Sequence, residues 1–252
     1  MKKFAAELST LALSDLHFGR PSSLAREPEA LEPLLQGFER VLLLGDIIDH
    51  WYVSSQQAHS LQQRIQAVCR KAGVKQLVPF RGNHDACGEG EEFALFDGVL
   101  YLHGHAVYHR LRGKGAAHAR IQALNQKKFG PSRAASRAGR PFWKAVERLY
   151  TSIPMALWLP AAWPWPVTRR IRRLVGEVAP PDGIHAVVLG HSHRPGTRRL
   201  KDLRLFNLGG WLKNTRACAF VHIGPQMQLI QIENRHGFPA WGKVLYQQHH
   251  EG

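Results

Sequence analysis

The stretch Val187–Pro195, "VVLGHSHRP", ends an apolar run on a glycine and two histidines one residue apart. In an extended chain, side chains two positions apart project from the same face, so His191 and His193 point one way and can reach a shared object. A polar strand end whose histidines face solvent is the other reading of an isolated His-x-His. The rest of the chain decides between them.

Working outward, "LSTLALS" (8–14) and "VLLL" (41–44) are short apolar runs closed by polar residues, as buried parallel strands are, and acids follow each at once. Between them "SLAREPEALEPLLQGFER" (23–40) predicts a helical region. The spacing in "SSQQAHSLQQRIQAVCRKAG" (54–73) predicts a second helix stopped by Gly73. "VKQLVPF", "GVLYLHGH" and "GIHAVVLGHSH" supply further strands, the first running into "RGNHD" and the others ending in glycine and histidine. After His193, "TRRLKDLRLFNLGGWL", "TRACAFVHIG" and "MQLIQIEN" mix apolar and polar residues at period two and predict an antiparallel meander.

Composition bounds the class. In 252 residues, 44% hydrophobic and 21% charged, the values are those of a folded globular chain, which excludes wholesale disorder. Cys69, Cys87 and Cys218 are odd in number and lack a CxxC pair, so a disulfide framework or thiolate zinc site is not expected, and a reducing compartment fits. The broken apolar run near the N-terminus predicts no signal peptide, and "TSIPMALWLPAAWPWPV" (151–167) contains four prolines, which disqualifies it as a spanning helix. The net charge of +15 is concentrated in one place: residues 109–175 hold fifteen Lys or Arg against one acid, Glu147. We read residues 1–252 as a single domain with a basic, Trp/Pro-rich helical cap inserted at 108–181.

Five strand ends carry the chemistry: Asp15 and His17; Asp46 and Asp49; Asn83, His84 and Asp85; His103 and His105; His191 and His193. In an open α/β sheet the carboxyl ends of the strands share an edge where ligands bind, so these residues are expected to converge there. Carboxylate, imidazole and amide donors without thiolate suit borderline divalent ions such as Mn, Fe, Zn or Co, and the number of donors exceeds what a single tetrahedral ion needs. Glycines before Asp46, Asn83 and His191 let the backbone approach the site.

The series Asp15-x-His17, Gly45-Asp46-x-x-Asp49, Gly82-Asn83-His84-Asp85, a later strand-end His103 and Gly190-His191-x-His193 resembles the calcineurin-like metallophosphoesterase family over about residues 8–223, the insertion excepted. The resemblance implies an α/β (α+β) fold, a four-layer αββα sandwich with two metal ions at the strand ends, manganese first and Fe, Zn, Co or Mg as alternatives. It implies that Asp15, His17, Asp46 and His193 bind one ion and that Asp46, Asn83, His103 and His191 bind the other, with Asp46 bridging. It gives His84 a contact to the substrate phosphate and protonation of the leaving group, and a metal-bridging hydroxide the role of nucleophile. Asp49 and Asp85 are then expected to orient ligand histidines or His84, against the alternative of ordinary loop or cap aspartates. His105 is an orienting or substrate-contacting residue. Arg81 is either a phosphate ligand or a strand-end charge, and Arg194, directly after the His-x-His, is a candidate substrate contact.

"DLHFGR", "GDIIDHW", "RGNHD", "GHSHRP" and "FNLGGW" further resemble the branch that contains UDP-2,3-diacylglucosamine pyrophosphohydrolase, with departures at His84, where that branch has Arg, and at His105, where it has Asp. This implies hydrolysis of a phosphodiester or pyrophosphate in a lipid-linked nucleotide. The cap's arginines together with Trp143, Trp158, Trp163 and Trp165 suit an anionic membrane surface, equally an inward-packed cap. Nucleic acid is the second partner class, making a nuclease the alternative, and a non-catalytic basic scaffold is the third. The expected location is cytoplasmic, peripheral on the inner membrane face, with no obligate protein partner.

Overall fold

Alternation within the apolar strands sets the layers. The computed structural model describes residues 8–85, 90–108, 165–178, 183–235 and 238–249. Strands β1 (Thr10–Leu13), β2 (Arg40–Leu43) and β3 (Gln76–Pro79) run parallel. Antiparallel β9 (Ala217–Ile223), β10 (Gln226–Arg235) and β11 (Phe238–His249) extend the sheet beyond β1, in the order β11-β10-β9-β1-β2-β3. A second sheet, ordered β4-β5-β6-β8-β7, comprises β4 (Phe93–Phe96), β5 (Val99–Leu102), β6 (Ala186–Leu189), β7 (Gly196–Leu200) and β8 (Leu203–Asn207). Its centre, β5-β6-β8, is parallel.

One face of each sheet meets the other. Ala12, Leu42 and Leu44 from the first sheet pack with Val99, Tyr101, Ala186, Val188 and Phe206 from the second. Their immediate neighbours point outward: Leu11, Leu13, Val41 and Leu43 meet helices α1 (Glu32–Leu35) and α2 (Ser55–Lys71). On the other side Leu100, Leu102, Val187 and Leu189 meet Val107 of α3 (His105–Tyr108) and Val167 and Ile171 of α4 (Trp165–Val178). Helix, sheet, sheet, helix is the expected four-layer sandwich. Each fully buried Leu, Val or Phe in these layers contributes on the order of 1.5–3 kcal/mol relative to exposure.

Local chemistry explains where elements start and stop. The Ser54 hydroxyl accepts from the Gln57 backbone N–H at 3.3 Å while the Gln57 side chain accepts from the Ser54 N–H at 2.9 Å, a reciprocal cap that opens α2. Ala58, Ile65, Val68 and Cys69 then form its buried stripe. The helical region expected over 23–40 is shorter in fact, a 3-10 turn at Pro28–Leu31 followed by the one-turn α1. Pro28 and Pro33 each lack the N–H that a longer helix would use there.

The expected meander divides in two. β7 and β8 form an antiparallel hairpin at the edge of the second sheet, whereas β9, β10 and β11 belong to the first. β4 was not anticipated, although Asp97-Gly98 carries the Asp-Gly turn signal and both residues have positive φ, 52° and 70°. β5 and β6 pair as neighbours through Val99↔Ala186, and the whole interval expected as a cap lies between them. Of that interval, residues 109–164 and 179–181 lie outside the described residues, and with them Trp143, Trp158 and Trp163. No helix among the described residues is long and apolar enough to cross a membrane.

Candidate metal centre

The loops after β1, β2 and β3 of one sheet and after β5 and β6 of the other meet on one rim. Asp15, His17, Asp46 and His193 offer ligand atoms all within 4.8 Å of one another, and so do Asp46, His103 and His191, so that Asp46 belongs to both groups. Asn83 joins the second group through its Oδ1, 3.3 Å from His103 Nε2. All seven expected ligand residues are thus gathered.

Hydrogen bonds aim the imidazoles. His103 Nδ1 lies 2.7 Å from the Leu44 carbonyl, which can only accept, so Nδ1 carries a proton and Nε2 is turned toward Asp46 Oδ2 at 3.5 Å. His17 Nδ1 donates in the same way to Asp49 Oδ2 at 3.1 Å, leaving Nε2 facing His193 Nε2 at 3.2 Å and Asp46 Oδ2 at 4.0 Å. Asp15 Oδ1 sits 3.0 Å from His193 Nε2 yet out of line for a hydrogen bond. Carboxylate oxygens and imidazole nitrogens converging in a pocket where Asp15, His17 and Asp49 are fully buried are the arrangement a divalent cation neutralises. The donor set therefore fits the expected ions.

Burial alone would raise these carboxyl groups. The His103 imidazole beside Asp15 and Asp46 overrides burial and holds both below the usual carboxylate range. Asp49 is likewise held low against burial by His84 and His17. For His103, burial acts downward but Asp46 and Asp15 prevail and push it up to about 9. His17 goes the other way, lowered because burial outweighs Asp49.

Backbone geometry adds a feature that residue types do not announce. Asp15, His17, Asp46, His191 and His193 have φ of 55°, 51°, 52°, 67° and 54°, in the left-handed region where Asp and His are tolerated and β-branched residues are not. All five lie in the loops that follow β1, β2 and β6. The glycines behave as expected: a Cβ on Gly82 would collide with the Asp46 carboxylate and backbone, and one on Gly190 with Asp15 and Ser14.

The surrounding residues divide by contact. Asp49 accepts from both His17 and, at Oδ1 and 3.0 Å, His84 Nδ1. His84 also donates its backbone N–H to Asp46 Oδ1 at 2.7 Å; burial acts downward on its imidazole, yet Asp49 and Asp46 raise it overall. The Asp85 carboxylate accepts the backbone N–H groups of Asp46 at 2.6 Å, Ile47 at 3.1 Å and Gly82 at 2.9 Å and so ties two loops together. Burial and the Asp46 charge push Asp85 up to about 7. The His105 ring stands 5.4 Å from that of His103 and 6.4 Å from that of His191. Arg81 reaches the Gly90 carbonyl at 3.4 Å and Glu92 at 3.7 Å, neither of them in the constellation. Arg194 follows His193 and donates its backbone N–H to the Ser192 hydroxyl at 3.3 Å.

Four contributors were not foreseen as parts of the site. Ser14 donates its hydroxyl to Asp15. Asn207 Nδ2 donates to the Gly190 carbonyl at 3.1 Å and steadies the His191 turn, a contact that only the pairing of β6 with β8 creates. Arg20 lies 3.6 Å from Asp49. Trp51 stacks on His84 with ring centroids 3.8 Å apart.

The calcineurin-like phosphoesterase family profile matches residues 8–195. The chain belongs to that family and is a metal-dependent phosphoester hydrolase. No curated protein sequence matches it. Among solved structures, a dimetal phosphatase from Danio rerio is 12% identical with a TM-score of 0.51, covering 90% of this chain and 96% of that one, which shows a shared fold. Vps29 from Chaetomium thermophilum is 13% identical with a TM-score of 0.49, covering 97% and 98%. A predicted phosphoesterase from Streptococcus pneumoniae TIGR4 is 11% identical with a TM-score of 0.41, covering 97% and 100%.

Proposed function

We propose that the protein is a dinuclear phosphohydrolase that cleaves a phosphodiester or pyrophosphate bond in a lipid-linked nucleotide such as a UDP-diacylglucosamine. The observation that carries the dinuclear reading is the pair of ligand groups sharing Asp46. Asp15, His17, Asp46 and His193 hold one divalent ion; Asp46, Asn83, His103 and His191 hold the other, manganese being the first choice. When bound, such ions lower the pKa of water and neutralise charge on the phosphoryl oxygens. The chain's own contribution beside them is His84. Its Nδ1–H is held by Asp49, and the raised affinity of its imidazole for protons supports a proton on Nε2 for the leaving oxygen.

Support for an anionic, lipid-bearing partner comes from α4, where Val167 and Ile171 are buried while Arg169, Arg172 and Arg173 are exposed. A basic face on an amphipathic helix suits a cytoplasmic protein seated peripherally on the inner membrane face. The test is a manganese-supplemented comparison of bis-p-nitrophenyl phosphate, a UDP-linked diacyl sugar and single-stranded DNA. Turnover of the lipid-linked nucleotide is expected; turnover of DNA alone overturns the substrate assignment in favour of a nuclease. Asp46→Asn, which keeps a residue tolerant of left-handed φ, is expected to lower turnover by on the order of 100-fold or more without altering the circular dichroism spectrum. Metal analysis of the purified protein should find about two ions per chain, and one ion would refute the dinuclear count.

A further inference from the structure

A hydrogen bond at one ring atom leaves an imidazole free to rock about that bond, so Asp49 alone does not set the plane of His84. Two other groups bracket the ring. The Trp51 indole lies against it at 3.8 Å with an interplanar angle of 35°, and His17 meets it edge-on at 4.9 Å and 88°. Trp51 is delivered by the same loop that carries Asp49, and its backbone N–H donates to Asp49 Oδ1 at 3.2 Å, the oxygen that also holds His84 Nδ1. Plane and edge of the imidazole are therefore fixed by residues two positions apart. A further tie runs from Arg20, whose guanidinium lies 3.6 Å from Asp49 and 5.4 Å from the centroid of the Tyr52 ring, on the loop just beyond Trp51.

From this geometry we infer that Trp51 is a positioning residue for the proton-donating imidazole, holding the His84 ring in the plane from which Nε2 reaches the leaving oxygen. The inference rests on the role given to His84 above. General acid catalysis matters most for a poor leaving group and least for one that departs readily as an anion. Loss of the stack should therefore appear as a change in preference between esters. A general weakening of the fold would lower both rates alike, because a ratio of two substrates is independent of the fraction of active protein.

The experiment compares bis-p-nitrophenyl phosphate with diphenyl phosphate in manganese-loaded parent, Trp51→Ala, Trp51→Phe and His84→Ala proteins. The ratio of kcat/KM, nitrophenyl over phenyl, is expected to rise by about 10-fold or more in His84→Ala and in Trp51→Ala, and to stay near the parent value in Trp51→Phe. The double variant Trp51→Ala/His84→Ala should shift the ratio no further than His84→Ala alone. In the metal-free protein, the His84 ring-proton resonance should lie upfield under the indole ring current and move downfield in Trp51→Ala. A ratio that shifts in His84→Ala but not in Trp51→Ala overturns the positioning role while leaving His84 as the acid. A ratio unmoved in both overturns the acid assignment and the inference with it.

Discussion

Gly82 illustrates how little room the donors leave. A methyl group there would occupy the space of the Asp46 carboxylate, its backbone nitrogen and one Asp85 oxygen. Gly82→Ala is expected to destabilise the fold by about 1–3 kcal/mol, read from denaturant midpoints, and to weaken metal affinity measurably by calorimetry because Asp46 must move. A neutral outcome in both measurements would mean that the loop relaxes without disturbing Asp46. The residue types of this centre were legible in the sequence: every expected ligand sits on the rim. Asp85 was not, since backbone N–H groups are donors at almost every position and nothing in "GNHD" tells which loop supplies them. The Trp51 stack was equally hidden, because it depends on the path of a loop rather than on spacing.

At the scale of elements, strands with strict inside and outside alternation were the readable ones. β1, β2, β5 and β6 lie close to where apolar runs predicted them, since each side chain is committed to one of two packed faces. Period-two patterning after His193 reported strands correctly but not their sheet, because hairpins in either sheet look alike along the chain. α4 shows the opposite balance, its buried side settled by Val167 and Ile171 and its exposed side carrying Arg169, Arg172 and Arg173. Charge reversal of Arg169, Arg172 and Arg173 to Glu is expected to abolish sedimentation with anionic liposomes, with each lost cation weakening binding by about 1 kcal/mol before the added acids repel. Unchanged partitioning would count against the membrane reading.

For the whole molecule, the decisive fact is that the donors come from both sheets: Asp15, His17, Asp46 and Asn83 follow strands of one, and His103, His191 and His193 follow strands of the other. Ions held among them bind only when the sheets are stacked, so binding is coupled to folding. Manganese at about 100 times its dissociation constant is expected to add about 2.7 kcal/mol to stability, raising Tm by roughly 5–10 °C over the protein in chelator. Asp46→Asn should erase most of that rise; a rise that persists in the variant would place the stabilising ion elsewhere. The convergence also has a cost in the empty protein, where five donors are held at positive φ. Selection of mutants for heat resistance in chelator would therefore drift toward glycine at those turns, and the hardiest survivors would be those that had forgotten how to turn over substrate.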